Sequence, residues 1–252
     1  MPAFFLPLGP GRVRATEHTS GPWNADAQHG GPPGALLGRA LEHCAPSEEL
    51  QIARVTMEIL GPIPVGELEI SAQVTRPGRS VEMIEAELRA GKPVARARAW
   101  RIRTGGEELP ERGQIEPFEL PAKEQEPPWP GGYLRALEWR LQEGRLGEPG
   151  PAKVWARARI PLVEGEPISP LQRVLLTADS GNGVSGELDL ATHWFINPEL
   201  TVHVHRLPDG EWIGLDARTT VQPNGIGLAE TRIFDRSGSV GRGAQALMIG
   251  PR

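Results

Sequence analysis

Three polar side chains near the end of the chain could together hold and activate a water molecule. They are Glu199, Thr220 and Gln245, with Thr219 as a neighbouring hydroxyl. A carboxylate can accept a proton from water, while a hydroxyl and an amide can fix the position of that water. Such a set suits hydrolysis by direct attack of water. The alternative interpretation is that all four are ordinary surface residues of strands.

An internal repeat is the reason for grouping these residues. Residues 54–100 and 200–246 share the same order of prolines, glycines and extended stretches. The string PVGEL at 64–68 matches PDGEW at 208–212, and RAGKPVAR at 89–96 matches RSGSVGR at 236–242 with one gap. A repeat of this length indicates a duplicated structural unit.

The two copies differ at the positions where water chemistry would need polar groups. Aligning Pro208 on Pro64 places Glu199 opposite Val55, and aligning the final strands places Gln245 opposite Ala99. Thr219 and Thr220 fall opposite Thr75 and its neighbours. The repeat therefore predicts one working site, with its catalytic side chains supplied by the second copy.

Other polar residues have two interpretations each. His29 either fixes the turn before a helix or lines a pocket. Asp179, beside glycines, is either a turn former or a second-choice catalytic acid that faces a pocket from the central helix. His203 and His205 face one side of a strand, but a third ligand is not evident, so no metal site is predicted.

The helices and strands that must position these residues are predicted from the spacing of apolar residues and from the positions of proline, glycine and capping residues. Two prolines suit the first turn of a helix over 32–44, and Ser169 followed by Pro170 predicts the start of a second helix. We predict strands at 3–8, 12–16, 52–59, 67–76, 81–89 and 93–103, then at 134–141 and 152–160, and finally from 188, 200, 211, 226 and 240.

Each half therefore has a helix followed by antiparallel strands. The apolar face of such a sheet must be covered, and the helix is the only candidate cover. This is the hotdog arrangement, and the sequence predicts an α+β fold with two hotdogs in tandem. We place the N-terminal hotdog at 1–103, a linker rich in Glu, Pro and Gly at 104–128, and the C-terminal hotdog at 129–252.

Composition excludes several classes of function. The net charge is −5 and the basic residues form no stripe, which argues against a nucleic-acid partner. No apolar run approaches ~18 residues and the N-terminus lacks the features of a signal peptide, so we expect a cytoplasmic protein that does not span a membrane. Cys44 is the only cysteine, which fits a reducing compartment.

The sequence contains no serine-hydrolase elbow, phosphate loop or dinucleotide fingerprint.

Several segments in order resemble the thioesterase-like double-hotdog family related to bacterial acyl-CoA thioesterase II. They are HGGPPGALLGRALEHC, VTMEILGPIPVGELEISAQVTRPGRSVEMIEAEL, INPELTVHVHR and EWIGLDART. The resemblance covers most of the chain apart from the linker. It implies an acyl-CoA substrate, direct attack by water, no covalent intermediate and no cofactor.

The resemblance also implies roles for individual residues. In bacterial acyl-CoA thioesterase II, an Asp, a Thr and a Gln of the second hotdog bind the hydrolytic water. By position, the Asp corresponds to Glu199, the Thr to Thr220 or Thr219, and the Gln to Gln245. The acid is Glu here, which keeps the charge and lengthens the reach. Gly30 and Gly31 also resemble the family, and amides at that helix start would polarise the thioester carbonyl.

Two alternatives remain open. An acyl-CoA or acyl-chain binding protein could keep the pocket without the chemistry. An enoyl-CoA hydratase would need an Asp and a His in D-x-N-P-x-H, but the Asp position holds Phe195 or Ile196 and the His is displaced to His203. Double hotdogs can also pair further, so a homo-oligomer of such pseudo-dimers is open.

Overall fold

The computed structural model describes residues 2–106 and 109–252, and its first unit follows the predicted order closely. A hairpin and a short 3₁₀ helix (Glu17–Thr19) precede the long helix α1, and four long strands follow it. The elements are β1 (Phe5–Gly9), β2 (Arg12–Ala15), α1 (Gly31–His43), β3 (Leu50–Ile59), β4 (Glu67–Arg76), β5 (Val81–Ala90) and β6 (Lys92–Arg103).

The second unit repeats this order with small departures. Its elements are α2 (Gly132–Arg135), β7 (Leu137–Glu143), β8 (Ala152–Ala158), α3 (Pro170–Ala178), α4 (Gly181–Val184), β9 (His193–Ile196), β10 (Glu199–Val204), β11 (Ile213–Val221), β12 (Ile226–Asp235) and β13 (Gly238–Pro251). The strand predicted at 134–141 begins as a helical turn, and the strand predicted from 188 begins only at His193. The remaining predicted elements are present within a few residues of their expected bounds.

One continuous antiparallel sheet joins the two units. Its strand order is β1-β2-β4-β5-β6-β3-β10-β13-β12-β11-β8-β7, with β9 paired to the far end of β13. From either edge to the centre, equivalent strands of the two units follow in the same order. The equivalent strands β3 and β10 pair with each other at the centre. Val202 of β10 lies opposite Val55 of β3 at this junction. The sheet is therefore a pseudo-twofold dimer within one chain.

The helices α1 and α3 lie together on the inner face of the sheet and run in opposite directions. The start of α1 meets the end of α3, where a Cβ on Gly31 would lie 2.3 Å from the carbonyl oxygen of Leu176. Ser169 caps α3 as predicted, and its hydroxyl accepts from the amide of Gln172 in a capping box. The absence of a side chain at Gly31 lets the helices approach closely enough to share one site.

Alternation along the strands separates an apolar inner face from a charged outer face. In β6, Ala95, Ala97 and Ala99 are buried beneath the helices, whereas Arg96 and Arg98 point outward and pair with Glu residues of β5. None of the helices formed by the described residues is long and apolar enough to cross a bilayer.

The predicted linker packs against the outer face of the second unit. Phe118 lies 4.8 Å from Trp155 and 5.4 Å from Phe234 between ring centroids. The indole of Trp155 also donates to the carbonyl of Glu119 at 2.9 Å. This segment therefore covers apolar surface on β8 and β12, while the boundaries 1–103, 104–128 and 129–252 stay a prediction.

Candidate active site

A pocket of about 420 Å³ lies where the two units meet. It is bounded by the N-terminus of α1, the C-terminus of α3, the end of β3 and the bend between β9 and β10. Its walls are mostly apolar, and the polar residues among them are Gln28, His29, Asp179, Ser180, Asn182 and Asn197. The pocket therefore combines an apolar volume with a small polar cluster at one wall.

Asp179 is the buried acid of this cluster, with 3% of its surface exposed. It is the C-cap of α3. Its Oδ1 accepts hydrogen bonds from Asn197 Nδ2 at 2.9 Å and from Gln245 Nε2 at 3.2 Å. Its Oδ2 lies 3.2 Å from Nδ1 of His29. Two residues of the second unit thus orient the carboxylate, and one residue of the first unit faces it.

Gln245 is fixed in a single orientation on the inner face of β13. Its Oε1 accepts the backbone N–H of Asn182 at 3.1 Å, so its Nε2 is left to donate to the carboxylate and the carbonyl of Asp179. The residue is 1% exposed. Since both ends of the amide are held, Gln245 locks the end of α3 and the carboxylate together.

The structure confirms that Gln245 takes the place of Ala99. Gln245 lies opposite Ala229, the fourth residue of β12, and Ala99 lies opposite Ile84, the fourth residue of β5. The two residues therefore occupy equivalent positions in the two units. The neighbouring inner-face position shows the same contrast, because buried Thr231 is the sixth residue of β12 and Ala86 the sixth of β5. At these two positions, the inner face therefore carries polar groups in the second copy and apolar groups in the first.

His29 brings a neutral ring to the site. Its ring stacks on Tyr133, with centroids 4.0 Å apart, and Nδ1 accepts the N–H of Gly31 at 3.1 Å. Burial lowers the pKa of His29, and the charge of Asp179 opposes this effect only in part. A neutral ring whose Nδ1 is an acceptor carries its proton on Nε2.

We expect the lowered pKa of His29 to make the fold sensitive to acid. The unfolded chain binds a proton at His29 near pH 6.5, whereas the folded protein binds it only at lower pH. This contribution to the free energy of unfolding is therefore present above about pH 6.5 and is lost as the pH falls through the folded pKa. Urea unfolding at a series of pH values should show a steeper acid loss for the wild type than for His29→Asn. Parallel curves for the two proteins would contradict the prediction.

The start of α1 has one backbone amide without an acceptor among the described residues, and it belongs to Gly30, which lines the pocket. Pro32 and Pro33 have no N–H, and the N–H of Gly31 is already bonded to His29. No described residue accepts a hydrogen bond from Gly30, whose Cβ position lies 2.6 Å from Oδ2 of Asp179. Of the two predicted oxyanion glycines, Gly30 is thus the one whose amide is available, while Gly31 serves the packing of the helices.

Two of the predicted catalytic residues lie on the other side of the sheet. Glu199 faces outward, and its carboxylate accepts from the amide of Ala246 at 2.7 Å and from the hydroxyl of Thr201 at 3.1 Å. Thr220 is exposed on the outer face of β11. The sheet separates both residues from Gln245, so the structure does not bring the predicted trio together. The catalytic roles of Glu199 and Thr220 stay predictions that no contact supports.

Thr219 is on the inner face but outside the cluster. It is 4% exposed, and its hydroxyl lies 2.9 Å from the hydroxyl of Ser185, which follows α4. Thr219 therefore supports the segment that carries Asn182. Asn197, in contrast, is a member of the cluster that the sequence did not suggest, since it lies in an irregular bend after β9 with no periodicity to mark it.

The symmetry-related position at the end of α1 is filled by other groups. Glu42 accepts from the hydroxyl of Ser169 and from Nε2 of Gln172, both at 2.8 Å. Buried Arg101 donates to the carbonyls of Cys44 and Ala45 and pairs with a Glu of β5. An ion-paired arginine and a capped helix start thus occupy the place that a second site would need.

Models of two protein domains match most of the chain. Residues 19–102 match the acyl-CoA thioesterase N-terminal domain, and residues 116–249 match the acyl-CoA thioesterase C-terminal domain. The chain belongs to the acyl-CoA thioesterase family. Both matches identify this family member as a thioester hydrolase, as the sequence predicted. A search of curated proteins finds no significant match.

Solved structures confirm the double-hotdog fold of this acyl-CoA thioesterase family member. A hot dog fold protein of unknown function from Alicyclobacillus acidocaldarius has a TM-score of 0.75 at 15% identity, over 97% of this chain and 95% of that one. The tesB protein of Mycobacterium avium subspecies paratuberculosis has a TM-score of 0.69 at 17% identity, over 98% and 96%. Acyl-CoA thioesterase II TesB2 of Mycobacterium marinum has a TM-score of 0.67 at 15% identity, over 98% and 95%.

The cluster in this acyl-CoA thioesterase family member modifies the residue set that the resemblance implies. An acid, a hydroxyl and an amide are expected, and the structure assembles Asp179, Asn197 and Gln245. The acid of this cluster is Asp179, at the end of α3, and both side chains that donate to its Oδ1 are amides. Among the residues that the structure describes, no group of three or more His, Cys, Asp or Glu side chains is placed to hold a metal ion.

Proposed function

We propose that the protein hydrolyses acyl-CoA thioesters by direct attack of a water molecule that Asp179 activates. The observation that supports this most directly is the buried carboxylate held by two side-chain amides at the wall of an apolar pocket. Buried acids with fixed partners in a pocket are typical of catalytic sites.

The hydrogen bonds indicate which carboxylate oxygen is the base. Oδ1 of Asp179 already accepts from Asn197 and Gln245. Oδ2 faces Nδ1 of His29, and that nitrogen accepts from the Gly31 amide and so has no proton to offer. Oδ2 therefore remains free to accept a hydrogen bond from a water molecule and then its proton.

The remaining steps use Asp179 together with groups of the first unit. Water oxygen bonds to the thioester carbon as its proton passes to Asp179, and negative charge develops on the carbonyl oxygen. The Gly30 amide at the start of α1 and the Nε2–H of His29 would stabilise that charge. Breakage of the C–S bond then releases the thiol, which takes the proton back from Asp179, and leaves a carboxylic acid.

The apolar walls define where the acyl chain would lie. Ile59, Ile63, Leu134, Val184 and Phe195 line the pocket. Trp23 lies at the same pocket and is half exposed, with its ring 6.5 Å from that of Trp129. We infer that the acyl chain occupies this apolar volume. Cytoplasmic location, independence of membranes and nucleic acids, and any homo-oligomer remain predictions from the sequence.

Thiol release from a panel of acyl-CoA substrates tests this function. In Gln245→Leu the carboxylate loses one of its two amide donors, and we expect kcat to fall about 10²-fold. Glu199→Gln and Thr220→Val serve as matched controls on the outer face of the sheet and should stay within about twofold of wild type. The measurement is steady-state kcat and KM for each variant.

Two outcomes would contradict the proposal in different ways. Loss of activity in Glu199→Gln with full activity in Gln245→Leu would return the catalytic role to the residue first predicted from the repeat. Tight binding of acyl-CoA by the wild type without thiol release at any chain length would instead indicate an acyl-CoA binding protein.

A further inference from the structure

A row of basic side chains crosses the outer face of the sheet at the junction of the two units. Arg54 of β3 lies opposite His203 of β10, His203 lies opposite Arg242 of β13, and Arg242 lies opposite Arg232 of β12. Residues that are directly opposite in a sheet have their side chains on the same face. Four neighbouring strands thus present three guanidinium groups and an imidazole side by side. We refer to these four residues as the basic row.

The basic row differs from the other charges on this face. Like charges directly opposite each other destabilise a sheet, and several other basic residues of this face form ion pairs with acids. Examples are Arg98 with Glu85 at 2.6 Å and Lys153 with Glu143 at 3.0 Å. Within the described part of the chain, no arginine of the basic row forms an ion pair. The sequence thus keeps an unfavourable concentration of charge at this one place.

The side chains of the basic row also have unused hydrogen-bonding capacity. Nε of Arg54 is buried and has no partner among the described residues. Burial lowers the pKa of His203, and the nearby charges of Arg242 and Arg54 lower it further. Both observations fit a positive potential around Arg54, His203 and Arg242, in a protein whose net charge is −5. At the far end of the basic row, Arg232 lies opposite Asp216 of β11 without forming an ion pair with it.

A groove of about 600 Å³ runs beside the basic row. His203, Arg232 and Arg242 line it, together with the hydroxyl-bearing residues Thr104 and Ser239. It lies on the outer face of the sheet, so the strands separate it from the pocket that contains Asp179. The groove therefore provides space for a ligand next to the unpaired guanidinium groups.

We propose that the basic row and its groove bind a phosphate-bearing ligand. Guanidinium groups form paired hydrogen bonds with phosphate oxygens, and several arginines together favour a multiply charged phosphate over a carboxylate. A bound phosphate would also reduce the repulsion between the directly opposed Arg242 and Arg232.

Two sources can supply this chemistry. The first is the phosphorylated end of an acyl-CoA substrate, and this version rests on the proposed function. Arg54 and the pocket residue Ile59 are both in β3, about 17 Å apart along the strand, a span that a long substrate could cover around the end of the sheet. The second source is a separate phosphorylated molecule that binds independently of catalysis.

Binding of inorganic pyrophosphate, measured by calorimetry, tests the site itself. We expect the wild type to bind it with an affinity that falls as salt is added, and the double variant Arg54→Gln with Arg242→Gln to bind at least about tenfold more weakly. Arg98→Gln, on the same face, is the matched control and should change affinity less than twofold. Removal of like charges should leave the unfolding temperature unchanged or raise it, which separates lost binding from lost folding.

Kinetics with two substrates then distinguish the sources. If KM for acyl-CoA rises in the double variant while KM for the same acyl-pantetheine is unchanged, the site binds the nucleotide end of the substrate. If neither KM changes while pyrophosphate binding is lost, the site binds a separate phosphorylated molecule. Absence of pyrophosphate binding by the wild type, or equal binding by the double variant, would overturn the proposal whether or not the protein hydrolyses thioesters.

Discussion

Replacing Asp179 with asparagine should lower kcat by about 10³-fold with little change in KM. The substitution removes the base that accepts the proton of water and leaves the shape of the pocket intact. Because the acyl chain contacts apolar walls away from this residue, substrate binding should persist. Steady-state thiol release from acyl-CoA, together with direct binding of a non-hydrolysable analogue, measures both quantities.

The local contacts make this substitution a clean test. An asparagine oxygen could accept from Asn197 and Gln245 as Oδ1 of Asp179 does, and its NH₂ group would face Nδ1 of His29, which is an acceptor. Every hydrogen bond around the residue can therefore be kept. A fall in activity would report the loss of charge rather than a loss of folding.

A matched control is Asp216→Asn, since Asp216 lies on the outer face of β11. This control should retain wild-type kcat. Turnover within tenfold of wild type in Asp179→Asn would remove Asp179 from the role of base. Equal losses in both variants would show that a general change in charge, rather than the site, determines the rate.

Replacing Gly31 with alanine should cost about 3 kcal/mol or more of stability. Its Cβ would lie 2.3 Å from the carbonyl oxygen of Leu176 and 3.1 Å from the ring of Tyr133. A backbone carbonyl within α3 cannot move unless the helix moves with it. Alanine otherwise favours helices over glycine by about 1 kcal/mol, so a loss would have to come from the clash. The unfolding temperature should fall by roughly 6–12 °C.

Gly34→Ala provides a control in the same helix. Its Cβ would meet the sulfur of Met57 at 3.3 Å, and a flexible methionine side chain can adjust. We expect this variant to change stability by less than about 1 kcal/mol. Calorimetric unfolding of the two variants side by side measures the difference. Equal stability of Gly31→Ala and Gly34→Ala would show that the contact between the helices is not tight.

Local signals in the sequence were sufficient to predict the two longer helices, α1 and α3, and the duplication. Ser169 and Pro170 mark the start of α3 within a few residues, and hydrogen bonding at a helix start depends only on neighbours in the chain. The opposition of Gln245 and Ala99 was also predictable, because their strands follow matched hairpins. Structure that depends on neighbours in the chain, such as a helix start or a hairpin, is therefore predictable from the residue types.

The identity of the acid was not predictable from the repeat. Aligning two prolines leaves an error of one residue within a strand, and a one-residue error moves a side chain to the opposite face of the sheet. Glu199 consequently falls opposite inward-facing Val55 in the alignment, although its side chain points outward. Asp179 reaches the site from a helix end and Asn197 from an irregular bend, where no periodicity indicates direction.

The pocket takes His29 and Gly30 from one copy and Asp179 and Gln245 from the other. In an assembly of two identical subunits, each new substitution would appear at both symmetry-related places. When both units are encoded in one chain, a substitution in one unit no longer appears in the other. The two units are also always made in equal amounts. Ala99 and Gln245 could then diverge by independent mutations, and selection could maintain catalysis at one end of the helix pair while Glu42 and Arg101 came to stabilise the other.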